Sequence, residues 1–262
     1  MISSPTNAKI KRLSLLLKKG IQRRAEGVFV IEGFKMFMEV LNQFTDNIEE
    51  VFLTETAKKQ LDYELGPIMN SVKSELVEDR LFEKVSETVT PQGVLAIVKT
   101  PVYKLDDITA KENCRLLILD SLRDPGNLGT IIRTAEAAGM DAVILSYDCV
   151  DVTNPKVVRS TMGAIFRVPF IVTTDLPETL NKLRRESHFR IYATALKASV
   201  PYTEPKYYGR LGIVIGNEAN GVSDAVINAS DQAIRIPMAG KVESLNAAIA
   251  AAIVMYEAAK FS

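Results

Sequence analysis

Short apolar runs alternate with longer segments of helical periodicity from Val28 onward. The strand-like runs read VFVIEG, EEVFLTE, SELVED and GVLAIVK, and the helix-like segments between them read FKMFMEVLNQF, AKKQLDYELGPIM and RLFEKVSE. Runs rich in β-branched and aromatic residues favour strands, whereas apolar residues three and four apart favour helices. The first hundred residues therefore predict a small, complete α/β domain.

The alternation stops near Thr100 and restarts after Cys114. The stretch TPVYKLDDITAKENC has a proline, mixed charge and no clear period, which indicates a linker over residues 101–114. Beyond it, the strands RLLILD, AVILS, VPFIVT, RIYATAL, LGIVIG and AIRIPM mostly alternate with helices. One of these helices is predicted near PKVVRSTMGAIF, and the last helix is SLNAAIAAAIVMYEAAK. This pattern predicts an α/β domain with a mostly parallel sheet over residues 115–262.

Three unusual polar loops follow strands of this second domain, at the edge where ligands bind in such sheets. They read RDPGNLGTIIR, IVIGNEANGVSD and IRIPMAGKVESLNAA. Gly126 and Gly129 form only a G-x-x-G, so the dinucleotide fingerprint is missing, and no G-K-[ST] phosphate loop occurs. These absences argue against a nucleotide-binding oxidoreductase. Gly216 is expected to let a ligand approach the backbone closely.

Each polar residue in these loops also has a purely structural interpretation. Arg133 is a lone cation in an apolar helix and could pair with Glu136, one turn further on. Asn127 could cap its own helix, and Ser244 is placed to cap the last helix, with Asn246 in its first turn. However, the three loops bring Asn, Arg, Glu, Ser and Asn side chains to one edge of one sheet, which favours a functional site.

The loop motifs LDSLRDPGNLGTIIRTAEAAG, IVIGNEANGVS and IPMAGKVESLNAAIAAAI resemble, in order and placement, those of the SpoU (TrmH-type) branch of the SPOUT RNA 2′-O-ribose methyltransferases. Residues 1–100 resemble the family's substrate-binding domain, an L30e-like α/β module, through SPTNAKIKRLSLL and TPQGVLAIV. The resemblance implies a trefoil knot in the C-terminal domain, S-adenosylmethionine as the cofactor, and a homodimer in which the partner subunit completes the RNA site.

The resemblance also implies roles for particular residues. The catalytic set that it implies is Arg133, Asn127, Glu218, Ser244 and Asn246. The cofactor contacts that it implies, largely through backbone, are Thr194, Ala195, Leu196, Gly216, Ile236, Met238 and Leu245. Because a guanidinium normally stays protonated, Arg133 is expected to stabilise a developing alkoxide rather than to abstract a proton.

The formal net charge is zero, yet the basic residues are unevenly distributed. Residues 1–24 contain no acidic residue, and the rest of the chain carries 25 basic and 32 acidic side chains. We expect this basic N-terminal arm to contact RNA phosphates, with a solvated helix face as the alternative. The expected RNA-binding residues are Lys9, Lys11, Arg12, Lys18, Lys19, Arg23 and Arg24.

Other features limit the class of protein. No apolar run is long enough to span a membrane or to act as a signal peptide, so we expect a cytoplasmic protein without a membrane partner. Cys114 and Cys149 are too few for a zinc site or a disulfide framework, and no metal is expected. The small, apolar last helix needs cover on more than one face, which also favours a homodimer.

The expected activity is therefore S-adenosylmethionine-dependent 2′-O-methylation of RNA, with 23S ribosomal RNA favoured because minimal tRNA-modifying relatives typically lack an N-terminal module. A tRNA 2′-O-methyltransferase and a non-catalytic RNA-binding protein of the same fold stay open as alternatives.

Overall fold

The first part of the chain forms a four-stranded mixed sheet with helices around it. The computed structural model describes residues 1–261. The elements in this part are α1 (Ala8–Lys18), α2 (Gly20–Glu26), β1 (Val28–Glu32), α3 (Phe34–Phe44), β2 (Ile48–Leu53), α4 (Glu55–Leu65), β3 (Ser74–Leu76), α5 (Asp79–Val85) and β4 (Val94–Lys99). The strand order is β1-β4-β2-β3, and β4 is antiparallel to β1 and β2.

The basic N-terminal segment is part of this fold and is not an arm. Ile10, Leu13, Leu16 and Leu17 of α1 are buried in one apolar cluster with residues of the sheet and of α5. Their spacing of three and four residues places them on one helix face. The basic residues of α1 therefore belong to the solvent side of an amphipathic helix that completes the core.

The second part of the chain forms a larger sheet. Its elements are α6 (Leu105–Thr109), β5 (Cys114–Leu119), α7 (Pro125–Ala137), β6 (Ala142–Ser146), α8 (Pro155–Ser160), β7 (Phe170–Thr173), α9 (Leu176–Ser187), β8 (Arg190–Thr194), β9 (Val200–Pro201), β10 (Arg210–Ile215), α10 (Asp224–Asn228), β11 (Gln232–Arg235) and α11 (Ala247–Ala259). The stretch predicted to be a linker contains α6, because Ile108 is buried in the core of this sheet.

The larger sheet has the strand order β7-β6-β5-β10-β8-β11-β9, and all of its paired strands are parallel. Its inner strands β5, β6, β8 and β10 are mainly buried, as expected of a parallel sheet covered on both faces, whereas β7, β9 and β11 are partly exposed. The predicted α/β class with a mostly parallel C-terminal sheet is thus confirmed. All seven strands end at the same edge, and the polar loops leave from that edge.

The chain divides into two compact units that are not contiguous in sequence. The first unit comprises Met1–Pro101 and Asp151–Phe166, and the second comprises Val102–Val150 and the chain from Arg167 onward. Residues 151–166, which lie inside the predicted C-terminal domain, therefore pack with the N-terminal residues.

Buried polar contacts hold residues 151–166 in the first unit. The Arg23 guanidinium donates to Asp151 Oδ2 at 2.6 Å and to Thr153 Oγ1 at 3.1 Å. Arg159 lies 3.6 Å from the buried carboxylate of Glu32. Because removing one partner of a buried charge pair is costly, these contacts tie the segment firmly to the unit.

Two kinds of feature are absent from the part of the chain that the structure describes. None of the helices within residues 1–261 is long and apolar enough to cross a membrane. No group of three or more His, Cys, Asp or Glu side chains in that range could hold a metal ion.

Candidate active site

The first polar loop leads from β5 into α7, and Asp124 caps this helix. The Asp124 carboxylate accepts a hydrogen bond from the Asn127 backbone N–H at 2.7 Å. Asn127 itself lies in the first turn, so the interpretation of Asn127 as the cap is wrong. Its side chain is therefore free to contact other loops.

Glu218, from the second loop, joins the loop after β10 to the start of α7. Its carboxylate accepts hydrogen bonds from the backbone N–H groups of Arg123 at 3.1 Å and Asp124 at 3.0 Å, and from Asn127 Nδ2 at 3.0 Å. Burial acts to raise the pKa of Glu218, but the hydrogen bonds from Asn127 and the two amides outweigh it and lower that pKa. Glu218 is therefore held as a carboxylate that positions the first loop.

Asn246, from the third loop, completes a chain of polar contacts. Its Nδ2 donates to Asn127 Oδ1 at 2.9 Å, and its Oδ1 accepts from the backbone N–H groups of Ala248 and Ile249. Asn246 is therefore the cap of α11. The expectations that Ser244 caps this helix and that Asn246 lies in its first turn are wrong, because α11 begins three residues after Ser244.

The three loops meet at Asn127, which bonds Glu218 through its amide nitrogen and Asn246 through its amide oxygen. Ser244 is exposed and makes no side-chain hydrogen bond with any residue in the range 1–261. Sequence spacing alone predicted that these loops share an edge, and the structure shows direct contact between them.

Arg133 lies two helical turns after Asn127 on α7, and it is exposed. Glu136, its suggested partner, instead pairs with Arg167, whose Nη2 lies 3.1 Å from Glu136 Oε2. Within residues 1–261 no side chain forms a hydrogen bond or salt bridge with Arg133. The interpretation of Arg133 as half of a surface pair with Glu136 is therefore wrong, and its guanidinium is available to a ligand.

The predicted cofactor residues follow three neighbouring parallel strands, β10, β8 and β11. Thr194 ends β8, and its hydroxyl donates to the Val214 carbonyl at 3.0 Å, while the Ala195 N–H donates to the Ile234 carbonyl at 2.9 Å. Beyond these strand ends Leu196 is 66% exposed, and Ile236, Met238 and Leu245 are half-buried. The segments after β8 and β11 thus bring four incompletely buried apolar side chains to one half of the sheet edge.

Gly216 has a structural role inside its own loop. A Cβ atom added there would lie 2.1 Å from the Gly221 carbonyl carbon and 2.1 Å from the Val222 nitrogen. Glycine is therefore required at position 216 by the fold of its own loop, and not by the approach of a ligand as expected. Residues 217–221 close a tight turn directly over it, with paired backbone hydrogen bonds between Asn217 and Gly221.

These incompletely buried apolar residues fit S-adenosylmethionine better than a nucleotide with phosphates. This cofactor has an adenosine, a methionine chain and a cationic sulfonium but no phosphate, so apolar walls and backbone groups can hold it. Leu196, Ile236, Met238 and Leu245 would supply the apolar walls, and the strand ends after Thr194 would supply backbone groups.

A polar network around Ser121 was missed by the sequence analysis. Ser121 is a non-glycine residue with φ +59°, in the left-handed region. Its N–H donates to Ser146 Oγ at 2.9 Å, its hydroxyl donates to Asp148 Oδ2 at 2.6 Å, and its carbonyl accepts from Asn217 Nδ2 at 2.8 Å. The available signal was the polar run Asp120-Ser121 directly after an apolar strand, which marks a strand end but names no partner.

The basic residues of the segment 1–24 divide into three groups, which are paired, buried and exposed. Lys9 pairs with Glu50 and Glu75, and Arg12 pairs with Glu26 and Glu49. Arg23 is only 3% exposed, so the expectation that it contacts RNA is wrong. The four exposed residues, which keep their charge at the surface, are Lys11, Lys18, Lys19 and Arg24.

Comparisons with known proteins decide the family. The family described as SpoU rRNA Methylase matches residues 115–256, and the MRM3-like substrate binding domain matches residues 7–96. The 23S rRNA (guanosine(2553)-2′-O)-methyltransferase RlmP of Bacillus subtilis (strain 168) is 35% identical over 97% of this chain and 97% of its own length. The chain belongs to the SpoU rRNA methylase family.

Solved structures of RNA-modifying enzymes agree with this assignment. The AdoMet-bound rRNA methyltransferase from Sinorhizobium meliloti has a TM-score of 0.86 and 30% identity, covering 99% of this chain and 97% of that one. The A. aeolicus TrmH/SpoU tRNA modifying enzyme has a TM-score of 0.52 and 27% identity, covering 58% of this chain and 78% of that one. The predicted SpoU resemblance and the S-adenosylmethionine cofactor are confirmed.

Proposed function

We propose that this SpoU methylase transfers a methyl group from S-adenosylmethionine to a ribose 2′-hydroxyl of 23S ribosomal RNA. The observation that carries the proposal is the unpaired, exposed Arg133 beside three loops joined through Asn127. The whole-chain similarity to RlmP supports the same reaction.

The chemistry requires an oxygen nucleophile aligned with the donated methyl group. S-adenosylmethionine supplies that methyl group on a sulfonium. The Arg133 guanidinium would stabilise the negative charge that develops on the 2′-oxygen as the hydroxyl proton passes to solvent, and it would also contact the neighbouring phosphate. Asn127 and Asn246 position the first loop and the start of α11, and Glu218 fixes that loop through three hydrogen bonds. Ser244, exposed near this site, is free to contact ribose.

Ribosomal RNA is favoured over tRNA by the extent of the similarity. The rRNA methyltransferases RlmP and that of S. meliloti match nearly the whole chain, whereas the tRNA modifying enzyme matches 58% of it. The first unit carries the substrate-binding domain match. Its exposed Lys11, Lys18, Lys19 and Arg24 would meet RNA phosphates. A ribosomal substrate would also place the enzyme in the cytoplasm.

The homodimer is part of the proposal. On α11 the side chains of Ile249 and Tyr256 are 54% and 52% exposed, and Ile253 between them is half-buried. These positions lie on one helix face, and such an exposed apolar stripe needs a cover. A second copy of the chain would supply it, with the trefoil knot around α11 as the expected fold of the same region.

Two measurements test this function together. Mass-spectrometric mapping of 2′-O-methyl groups in 23S rRNA, with and without the protein, should show one lost site in cells that lack it. Calorimetric titration with S-adenosylmethionine should show binding to the purified protein. Cofactor binding with methylation of tRNA alone would move the substrate to tRNA. Absence of both cofactor binding and methylation would leave a non-catalytic RNA-binding protein.

A further inference from the structure

The edge of the larger sheet carries a second cleft, on the half that the cofactor residues do not use. The cofactor residues follow β10, β8 and β11, whereas this cleft of about 180 Å³ lies beyond the ends of β5, β6 and β7. Its volume is well below the roughly 300–1,000 Å³ of pockets for drug-sized ligands. The cleft could therefore accept one ring system but not a whole nucleoside cofactor.

The lining combines an apolar floor with one exposed aromatic ring. Leu176, Pro177 and Val226 line its floor, where Leu176 and Val226 are only 3% and 1% exposed, and Tyr147 stands at the rim directly after β6. Tyr147 is 70% exposed, and its hydroxyl forms no hydrogen bond with any residue from 1 to 261. A tyrosine left this open at a strand end offers a flat face to a ligand.

The acidic residues around the cleft hold its own loops, and no group of three or more His, Cys, Asp or Glu side chains within residues 1–261 could hold a metal ion there. Asp120 accepts from the Ser223 N–H at 2.8 Å, and Asp148 accepts from Ser121 and Ser146, each at 2.6 Å. Asp175 caps α9 by accepting from the Glu178 N–H at 2.9 Å. What the cleft offers to a ligand is therefore its aromatic face and apolar floor.

The position of the cleft links it to the methylation site. The turn 121–124 separates the two halves of the sheet edge, and the exposed Arg123 guanidinium lies 3.3 Å from Asp148 at the cleft. The Arg123 backbone N–H, in turn, donates to Glu218 in the proposed active site. A strand of RNA with its target ribose at Asn127 and Arg133 would therefore have a neighbouring nucleotide within reach of the cleft.

We propose that this cleft holds the base of an unpaired nucleotide next to the methylated one, stacked on Tyr147, with Arg123 beside the intervening phosphate. Bases of single-stranded RNA stack on aromatic side chains and on arginine planes, with little dependence on sequence. This inference rests on the proposed function, because the ligand is the same RNA. It adds a subsite that selects an unpaired context for the target nucleotide.

The test uses the full-length protein and a synthetic 23S rRNA fragment that contains the mapped site. Tyr147→Ala should raise KM for RNA about tenfold or more, the usual loss for one stacked base, with kcat and S-adenosylmethionine affinity nearly unchanged. Tyr147→Phe keeps the ring and should behave like the wild type. Tyr208→Ala, which removes another exposed tyrosine of the same unit, is the matched control.

An abasic nucleotide at each position flanking the target completes a double-mutant cycle. At one flanking position the abasic RNA should lose the effect of Tyr147→Ala, because the stacked base is already absent. The subsite is disproved if Tyr147→Ala changes KM less than twofold, or if its effect persists on every abasic RNA. Failure of the proposed function would look different, since the wild-type protein itself would then not methylate the fragment.

Discussion

Ser121 shows how single residues shape the proposed active site. A non-glycine residue in the left-handed region costs of order 1–3 kcal/mol and persists only where its surroundings hold it. Here Ser146 and Asp148 after β6 and Asn217 after β10 all bond Ser121. The turn before Arg123 is therefore set by contacts from two neighbouring strand ends.

Two substitutions of Ser121 should separate the free-energy cost of its left-handed backbone from the stabilisation by its hydrogen bond to Asp148. Ser121→Ala keeps the strained backbone and loses the bond to Asp148, so we expect a destabilisation of about 1–3 kcal/mol. Ser121→Gly also loses the bond but relieves the backbone strain, and it should cost less. Urea unfolding followed by circular dichroism measures both, with the exposed Ser74→Ala as the control. A glycine variant less stable than the alanine variant would contradict this account.

Replacement of Arg133 by lysine tests its proposed catalytic role. Lys keeps the positive charge but not the planar fork of a guanidinium. Removing one preorganised donor typically costs about 10²–10³ in rate, so Arg133→Lys should lose at least that order of turnover. Single-turnover methylation measures the loss, and calorimetry should show nearly unchanged cofactor binding.

The matched control for Arg133 is Arg185→Lys, because Arg185 is exposed on α9 and pairs with Glu178 at 3.1 Å. Arg185→Lys should leave turnover almost unchanged. Near-normal turnover in Arg133→Lys would remove Arg133 from the catalytic set.

The lowered pKa of Glu218 should make the stability of the protein depend on pH. Its pKa is lowered from 4.5 in the folded protein, despite a burial effect in the opposite direction, because Asn127 and two amides donate to the carboxylate. A group with a lowered folded pKa contributes stability above its ordinary pKa and loses it as the pH falls through the folded value. Glu218→Gln should therefore lower the melting temperature at pH 7 but have less effect below pH 4.5.

Melting curves of wild type and Glu218→Gln across pH 3 to 7 test whether the difference between their melting temperatures shrinks as the pH falls. Glu243→Gln, an exposed carboxylate in the third loop without a hydrogen-bond partner among the described residues, is the control and should not show it. Parallel curves for Glu218→Gln and the wild type would contradict the role of the carboxylate.

At the scale of elements, helices with a clear apolar face were the most predictable. FKMFMEVLNQF was predicted as a helix and α3 spans the same residues, because its apolar positions face one core. The segment PKVVRSTMGAIF was predicted as one helix, but α8 ends at Ser160. Met162 and Gly163 have φ values of +52° and +97°, which no helix can continue. A periodic pattern does not reveal such backbone reversals.

The candidate site was predictable as a set of loops and not as a set of contacts. Strand order cannot be read from local periodicity, yet it decides which loops are neighbours. The pairing of β10 with β5 brings Glu218 to Asn127 across 91 sequence positions. The same limit explains why Arg167 was missed as the partner of Glu136. Asn246 was missed as the cap of α11 for a local reason, because the sequence pattern placed the helix start two residues too early.

RNA binding by the basic helix α1 must be tested by point substitutions and not by deletion. Deletion of residues 1–24 would remove Ile10, Leu13, Leu16 and Leu17 from a core, so the unit would not fold normally. The double change Lys18→Gln with Lys19→Gln keeps these residues. It should weaken RNA binding and reduce the slope of log affinity against log salt by about 0.7–0.9 for each lost phosphate contact.

Filter binding of the rRNA fragment at several salt concentrations measures that slope. Lys58→Gln with Lys59→Gln is the matched control, because both lysines pair with carboxylates of their own helix. Equal slopes for wild type and the Lys18, Lys19 variant would leave α1 as a solvated helix face.

At the scale of the whole molecule, the exposed stripe on α11 predicts self-association. Tyr256→Glu places a charge within the proposed contact, and it should convert a dimer into a monomer at micromolar concentration. Sedimentation velocity measures the mass. The control is Tyr63→Glu, because Tyr63 is 92% exposed on α4 of the first unit. A wild-type protein with the mass of one chain and full activity would rule out the dimer.

The non-contiguous first unit limits how such enzymes can be recombined. The chain passes from one unit to the other after residues 101, 150 and 166, so a gene joined at a single point cannot exchange the substrate-binding unit. A transplanted N-terminal module would leave Asp151 without Arg23 and Arg159 without Glu32. Chimeras that redirect this enzyme to another RNA should therefore carry residues 1–101 and 151–166 together from the same parent.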